Sequence, residues 1–206
     1  GGPSTEVAPQ GLDSSVALYQ QGKKQQARSA LEQWLTKQEG HPDASMTRLC
    51  LALWELDNQS PKAALAWLSN ATFEPALNDV VLNAKADSLR GVKQSEQAIP
   101  LLDQLRSNSL SPLSPQAQFD HAETLFESKR YRKALKAYHK ALHTYPDYPG
   151  KWFARERMAS CHEQGSQPDK AITGWREVAR AVPERLEGKR AQQHLARLRK
   201  KGVRIK

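Results

Sequence analysis

Cysteines and long apolar runs are scarce in this chain of 206 residues. The two cysteines, Cys50 and Cys161, lie more than a hundred residues apart, and neither belongs to a C-x-x-C motif, which excludes a zinc ribbon and a dense disulfide framework. Both lie in helix-like sequence, where we expect them to be small buried side chains. No stretch approaches the roughly 20 apolar residues that a membrane-spanning helix needs. With 38% hydrophobic and 26% charged residues, the chain is expected to be soluble and folded.

Motifs for catalysis and cofactor binding are missing as well. The sequence contains neither a G-x-G-x-x-G nor a G-x-x-x-x-G-K loop. His139 and His143 lie one helical turn apart, but no glutamate completes an H-E-x-x-H motif, and Lys136 and Lys140 beside them would repel a cation. We therefore expect a protein that is not an enzyme and that holds no metal ion and no cofactor.

A repeat organises the chain, and its clearest copy runs from Pro115 to Pro146. The positions that define this copy are small, large, aromatic and helix-breaking residues: Ala122, Leu125, Tyr131, Ala134, Tyr138, Ala141 and Pro146. This pattern closely resembles the tetratricopeptide repeat, in which small residues let two helices approach and a proline ends the unit. The resemblance implies pairs of antiparallel helices that stack into a solenoid.

Alanines equivalent to Ala134 recur at intervals of 37, 34, 36 and 37 residues, at Ala27, Ala64, Ala98, Ala134 and Ala171. No segment shows the period-2 pattern of a strand. The sequence therefore predicts an all-α solenoid of about five helix-turn-helix repeats with a C-terminal capping helix. Residues 1–10 are expected to be a flexible leader, and residues 11–206 the solenoid. The predicted units are 11–42, 43–74, 75–114, 115–148 and 149–183, and the capping helix is 184–201.

Proline, serine and glycine mark the expected helix ends. Ser60-Pro61 and Ser114-Pro115 place a capping hydroxyl before a proline in the first helical turn. A positive φ is expected at the ends of first helices, at Gly22, Gly91 and Gly165. The Pro- and Ser-rich stretch at residues 107–115 is either a long loop between repeats or a hinge.

The net charge of +9 is confined to the C-terminal half. Up to Leu110 the chain has 10 Lys+Arg and 12 Asp+Glu, and from Ser111 onward it has 21 and 10. Such asymmetry indicates an anionic partner. The alternative function is therefore binding of an anionic polymer, lipid or nucleic acid through the basic tail, with Arg197, Arg199, Lys200 and Lys201 as candidate residues. Nucleic acid is the less expected of these ligands, because the aromatic residues occupy repeat core positions.

The resemblance also implies a binding surface, because the first helices of such repeats line the concave side. The matching residues here are Asn83, Asp87, Arg90, Gln116, Phe119, Glu123, Glu127, Glu156, Arg157 and Ser160. Acidic residues outnumber arginines in this set, so a basic or amphipathic peptide is the expected ligand. At the equivalent positions of the second unit stand Met46, Leu49, Leu53 and Leu56, which form either a pocket for a partner helix or part of the core.

The sequence thus predicts a non-catalytic scaffold that binds a peptide or protein on its concave face during assembly of a larger complex. A subunit that self-associates is the remaining alternative. The junction Thr144–Gly150 resembles those in bacterial envelope, pilus and secretion assembly proteins, which implies a periplasmic or membrane-tethered location rather than a cytoplasmic one. The start at Gly1-Gly2-Pro3-Ser4 without methionine indicates a cloning remnant, so membrane contact would depend on an anchor further upstream.

Overall fold

The computed structural model describes residues 12–69 and 71–203, and these residues form α-helices, one 3₁₀ turn and no β-strand. The helices are α1 (Leu12–Gln20), α2 (Lys24–Lys37), α3 (Ala44–Asp57), α4 (Pro61–Ser69), α5 (Asn78–Gly91), α6 (Ser95–Ser107), α7 (Ser114–Glu127), α8 (Tyr131–Thr144), α9 (Lys151–Gln164), α10 (Pro168–Ala181) and α11 (Leu186–Lys200). The 3₁₀ turn, Pro75–Leu77, precedes α5. The predicted leader lies outside the described residues.

The chain divides into two compact units, Gly1–Val92 and Lys93–Lys206. In the first unit, α1 packs on α2 and α3 packs on α4, while α2 contacts α3 and α4 contacts α5. In the second unit, α6 packs on α7, α7 on α8, α8 on α9, α9 on α10 and α10 on α11. First helices of successive repeats also touch, at α3–α5, α7–α9 and α9–α11. This order confirms the predicted all-helical repeat architecture.

A residue in the left-handed conformation lies between the two helices of each repeat. These residues are Gly22, Gln59, Lys93, Lys129 and Ser166. Each lies five positions before one of the five repeat alanines, all of which are fully buried. In the fourth repeat the amide of Arg130 then donates to the carbonyl of Leu125 at 2.9 Å, as in a Schellman motif. The intervals seen in the sequence are therefore intervals between equivalent helix reversals.

The prediction of positive φ at glycines is right at Gly22, where φ is 79°, and wrong at Gly91 and Gly165. In those two repeats the left-handed residue comes after the glycine, at Lys93 and Ser166. Gly91 is the last residue of α5 and meets a different constraint, because an added Cβ would lie 2.5 Å from the Cβ of Pro61 at the start of α4. Close approach of α4 and α5 therefore requires a glycine there.

The predicted serine caps are wrong. Ser114 is itself the first residue of α7, and its hydroxyl donates to the carbonyl of Arg106 near the end of α6 at 2.9 Å. The hydroxyl of Ser60 donates to the carbonyl of Asn58. Both serines thus bond to a carbonyl of the preceding segment rather than to an amide of the helix that follows. The prolines nevertheless stand in the first turn of α4 and α7, as expected.

The Pro- and Ser-rich stretch forms consecutive turns between α6 and α7, inside the second unit. The amide of Ser111 donates to the carbonyl of Asn108 at 3.0 Å, and the amide of Ser114 donates to the carbonyl of Ser111 at 3.1 Å. The boundary between the two compact units lies upstream of this stretch, between α5 and α6. This connection is therefore an inter-repeat loop.

Each unit has its own apolar core at the interfaces between successive helices. In the first unit the core is aliphatic and includes Leu31, Leu51 and Leu68, all fully buried. In the second unit the largest buried side chains are Tyr138 and Trp175, on α8 and α10. Stacking of successive helices is what buries these side chains, because one helix pair cannot cover them alone.

We predict that Gly91→Ala destabilises the protein. The methyl group would overlap Pro61, and overpacking of this kind costs about 1–3 kcal/mol, more than the roughly 1 kcal/mol that alanine gains in helix propensity. Gly40→Ala is the matched control, since nothing lies within 4 Å of its added Cβ. Urea unfolding followed by circular dichroism measures both, and equal midpoints would contradict the predicted overlap.

Candidate functional site

The ten residues of the predicted binding surface lie on the first helices of three repeats. Asn83, Asp87 and Arg90 are on α5 of the first unit, and the other seven are on α7 and α9 of the second unit. We call the surface formed by first helices within either unit the first-helix face. On α5 the carboxylate of Asp87 lies 3.9 Å from the guanidinium of Arg90. Asn83 Oδ1 is buried and has no hydrogen-bond partner in the described part of the chain.

Glu123 is the centre of a buried polar network in the second unit. The guanidinium of Arg157 donates to it from Nε, at 3.0 Å to each carboxylate oxygen, and from Nη2, at 2.8 Å to Oε1. The hydroxyl of the buried Tyr138 donates to Oε2. Burial, and then the charge of Glu123, raises the pKa of Tyr138, so its proton stays in place as the donor. The Arg157 guanidinium also lies over the rings of Phe126 and Phe153.

Glu156 is likewise buried and paired across two helices. It accepts two hydrogen bonds from Arg190 of α11, at 2.6 Å from Nε and 2.7 Å from Nη2. Two turns further along α11, Arg197 donates to Glu163 of α9. In each of these pairs, as in Glu123–Arg157, the arginine follows the glutamate by 34 residues. Two of the carboxylates predicted to meet a partner, Glu123 and Glu156, thus already bind arginines of the next helix in the stack.

An aromatic residue that the sequence prediction did not include packs on the predicted Phe119. Tyr148, in the loop between α8 and α9, stacks on Phe119 with ring centroids 3.8 Å apart and an angle of 8°. Its hydroxyl donates to the side chain of Gln116, whose amide in turn donates to Asp120 at 2.9 Å. Phe119 is buried by this packing. The two tyrosines of the 144–150 junction were the available indication in the sequence.

The remaining predicted residues lie nearer to solvent. The carboxylate of Glu127 accepts a hydrogen bond from the hydroxyl of Ser95 at 3.1 Å, and Ser160 is half-buried on α9. The structure therefore brings the seven residues of α7 and α9 onto neighbouring helices. Their role in binding a partner stays a prediction.

The apolar stripe of α3 divides into core and surface. Leu49 is buried, and Leu56 packs against the same cluster. Met46 and Leu53 are 38% and 40% exposed, and Val80 of α5 is 38% exposed. Val80 follows Met46 by 34 residues, which is also the offset between the starts of α3 and α5, so the two residues occupy equivalent positions on neighbouring first helices. The first-helix face of the first unit therefore exposes large apolar side chains.

The basic tail divides in a similar way. Arg197 is held by Glu163, whereas Arg199, Lys200 and Lys201 are exposed and make no ion pair in the described part of the chain. Arg204 and Lys206 lie outside the described residues. Three unpaired cations thus stand together where α11 ends.

The residues that could support other chemistry have structural roles. Burial raises the pKa of Cys50 to about 11 and that of Cys161 to about 12, so neither thiol is an activated nucleophile. Both cysteines are free. Among the described residues, no group of three or more His, Cys, Asp or Glu could hold a metal ion. No helix within the described ranges is both long and apolar enough to cross a bilayer.

The helix pairs, their left-handed reversals and their buried alanines define a protein of stacked helix-turn-helix repeats. The chain belongs to the tetratricopeptide repeat family, whose sequence pattern matches residues 12–76 and 83–149. No curated protein is similar enough in sequence to count as a match.

Several solved structures share this fold. YrrB, described as a TPR protein with an unusual peptide-binding site, is 15% identical, with a TM-score of 0.70 over 88% of this chain and 89% of YrrB. MamA is 17% identical, with a TM-score of 0.69 over 84% of this chain and 90% of MamA. The TPR-like repeats of a putative kinesin light chain from Podosopora anserina, described as nearly identical repeats, share 17% sequence identity with this chain. The TM-score is 0.63 over 83% of this chain and 92% of that one. At these identities the likeness concerns the fold alone.

We predict that Glu123→Gln destabilises the second unit by about 2–3 kcal/mol, somewhat less than the loss of a fully buried ion pair, because Arg157 stays partly exposed. Thermal unfolding measures the loss. Glu184→Gln is the control, since Glu184 is exposed and makes no ion pair in the described part of the chain. If both variants unfold at the wild-type temperature, the network does not stabilise the fold.

Proposed function

We propose that this chain is a non-catalytic scaffold that binds a peptide or protein partner on its first-helix face, as part of a larger assembly. The family supports the general role, because stacked repeats present extended surfaces rather than enclosed reaction sites. The likeness to YrrB, a peptide-binding TPR protein by its description, agrees with this role. The finer assignment rests on the surface of the first unit.

The observation that carries the proposal is the exposure of Met46, Leu53 and Val80 on adjacent first helices. Water contact with three large apolar side chains on neighbouring helices is unfavourable, and a partner that covered them would gain free energy. Only two other large apolar side chains in the described part of the chain are exposed, Leu110 and Leu186, and they lie in a loop and at a helix start. Met46, Leu53 and Val80 are thus the exposed large apolar side chains that share neighbouring helices in the described part of the chain.

The charges around this patch favour an amphipathic ligand. Asp57 accepts hydrogen bonds from Tyr19 and Lys24, and Asp87 lies near Arg90, so ion pairs flank the apolar residues. Because Glu123 and Glu156 are neutralised by arginines, the second unit offers less free negative charge than the sequence suggests. Apolar anchoring residues with a few polar contacts, rather than a strongly basic sequence, therefore describe the expected ligand.

We predict that Leu53→Asp weakens peptide binding by at least tenfold, about 1.4 kcal/mol, because it places a charge where an apolar anchor would be buried. Peptides are first selected from a displayed random library on the wild-type chain, and the affinity of the best is measured by calorimetry. Leu110→Asp is the matched control, since Leu110 is 93% exposed and lies off this face.

The selected peptides should bind Leu110→Asp as they bind wild type. Circular dichroism must show that Leu53→Asp retains its helices. Equal affinity for both variants, or no saturable binding of any selected peptide, would refute the first-helix face of the first unit as the binding surface.

A second candidate function is binding of a polyanion through the end of α11. It is favoured by the three unpaired cations Arg199, Lys200 and Lys201. Attraction between such a cluster and an anionic polymer weakens as salt increases. This function would operate independently of the first-helix face.

We predict that replacing these three residues by glutamine lowers the salt concentration at which the protein elutes from a heparin column. Point variants are preferred to truncation, because removing α11 would also remove Arg190 from the buried Glu156. The control replaces Lys23, Lys37 and Lys62, which are exposed and lie in the first unit, so that the net charge changes equally. Identical elution of the two triple variants would eliminate the tail as the binding site.

A further inference from the structure

A cleft in the second unit, separate from the first-helix face, has basic walls. It is lined by α8, by the C-terminal end of α9 and by the first residues of α10, and its volume is about 540 Å³. That volume lies within the range of sites that bind small molecules or single side chains of a partner. None of the ten residues of the predicted binding surface lines it.

Three cations line this cleft, and no acidic residue does. Arg132 and Lys136 are on α8, and Lys170 is on α10. None of the three makes an ion pair in the described part of the chain, although ion pairs engage many of the other cations of this unit. Three uncompensated positive charges at one concave site attract an anion more strongly than the same charges spread over a convex surface.

Two histidines also line the cleft, His139 from α8 and His162 from α9. His162 Nδ1 lies 2.8 Å from the side-chain oxygen of Gln167, which can only accept, so Nδ1 carries the proton and the ring is held in place. Burial, followed by the charges of His162 and Arg155, lowers the pKa of His139. A bound anion would oppose that effect, because it stabilises the imidazolium form.

Acidic residues line an adjoining cleft rather than this one. A second cleft of about 400 Å³ shares His139, His162 and Lys170 with the first and adds Asp169 and Glu177. Glu177 is paired there with Arg155 at 2.9 Å. Asp169 and Glu177 thus line only the adjoining cleft, and the lining that is free of acidic residues is the one that contains Arg132, Lys136 and Lys170.

We propose that this basic cleft binds the phosphate group of a phosphorylated ligand. A carboxylate brings one negative charge, whereas a phosphate monoester brings about −1.5 to −2 near neutral pH and three acceptor oxygens, which better match the three cations of the cleft. The guanidinium of Arg132 is suited to pair with two phosphate oxygens at once. The source of the phosphate is either a small metabolite or a phosphorylated side chain of a protein, and the probes below distinguish the two.

The test uses three probes on the full chain: free phosphoserine, a short phosphoserine peptide, and the same peptide with serine. Calorimetry at low ionic strength measures the affinities. The phosphorylated probes should bind saturably and more weakly as salt increases, and the serine peptide should not bind. Stronger binding of the peptide than of free phosphoserine would identify a protein as the source, and equal binding a small metabolite.

The cleft variant is Lys136→Glu with Lys170→Glu, and its control is Lys133→Glu with Lys140→Glu. The control residues are exposed on α8, do not line the cleft, and change the net charge equally. We expect the control to bind within about twofold of wild type and the cleft variant to bind at least tenfold more weakly, about 1.4 kcal/mol.

If the double glutamate variant loses helical circular dichroism, the pair Lys136→Ala with Lys170→Ala replaces it with the same expected direction. Equal weakening by the cleft and control variants would show only general electrostatic attraction and would overturn the proposal. Absence of saturable binding by both phosphorylated probes would overturn it as well.

Discussion

The backbone reversal between the two helices of a repeat is the constraint on which this structure depends. At each reversal one residue adopts a positive φ, and five positions later an alanine is fully buried against the neighbouring helix. The reversal fixes where the second helix begins, and the absence of a larger side chain at the alanine lets the helices approach. Only Gly22 adopts this conformation without steric cost, whereas Gln59, Lys93, Lys129 and Ser166 are held in it by the packing around them.

Electrostatic pairing forms a second layer of order in the second unit. Glu123, Glu156 and Glu163 each bind an arginine on the next helix in line, α9 or α11, so these three carboxylates are neutralised from outside their own repeat. A carboxylate removed from water costs free energy unless a cation and hydrogen bonds compensate it, and these arginines supply both. Because these pairs occupy the carboxylates of α7 and α9, the surfaces left for a partner are the apolar first-helix face of the first unit and the basic cleft of the second.

The helical repeat fold was predictable because its determinants recur locally: the alanine intervals, the prolines at helix starts and the missing strand pattern all lie in short segments. The roles of individual charged residues were not predictable from such short segments. Glu123 and Glu127 are the same type of residue, one turn apart on α7. Nevertheless, the carboxylate of Glu123 is buried and pairs with Arg157, whereas that of Glu127 accepts a hydrogen bond from Ser95. Ser95 and Arg157 lie 32 and 34 residues from Glu127 and Glu123 in the sequence. Which carboxylate meets an arginine therefore depends on how each helix is rotated about its own axis. The serine caps failed similarly, because nearby carbonyls competed for the hydroxyls.

Helix α11 does more than cover an apolar end. The imidazole ring of His194 on this helix stacks on Trp175, with ring centroids 4.1 Å apart. Arg190 and Arg197 of the same helix supply the positive charges that compensate Glu156 and Glu163. A generic polar capping helix without arginines at these two positions would exclude water from the same surface while leaving two carboxylates uncompensated. A shortened or fused form of the second unit must therefore keep the whole of α11, through Lys200. This helix is needed for the charges of its arginines as well as for covering the apolar core.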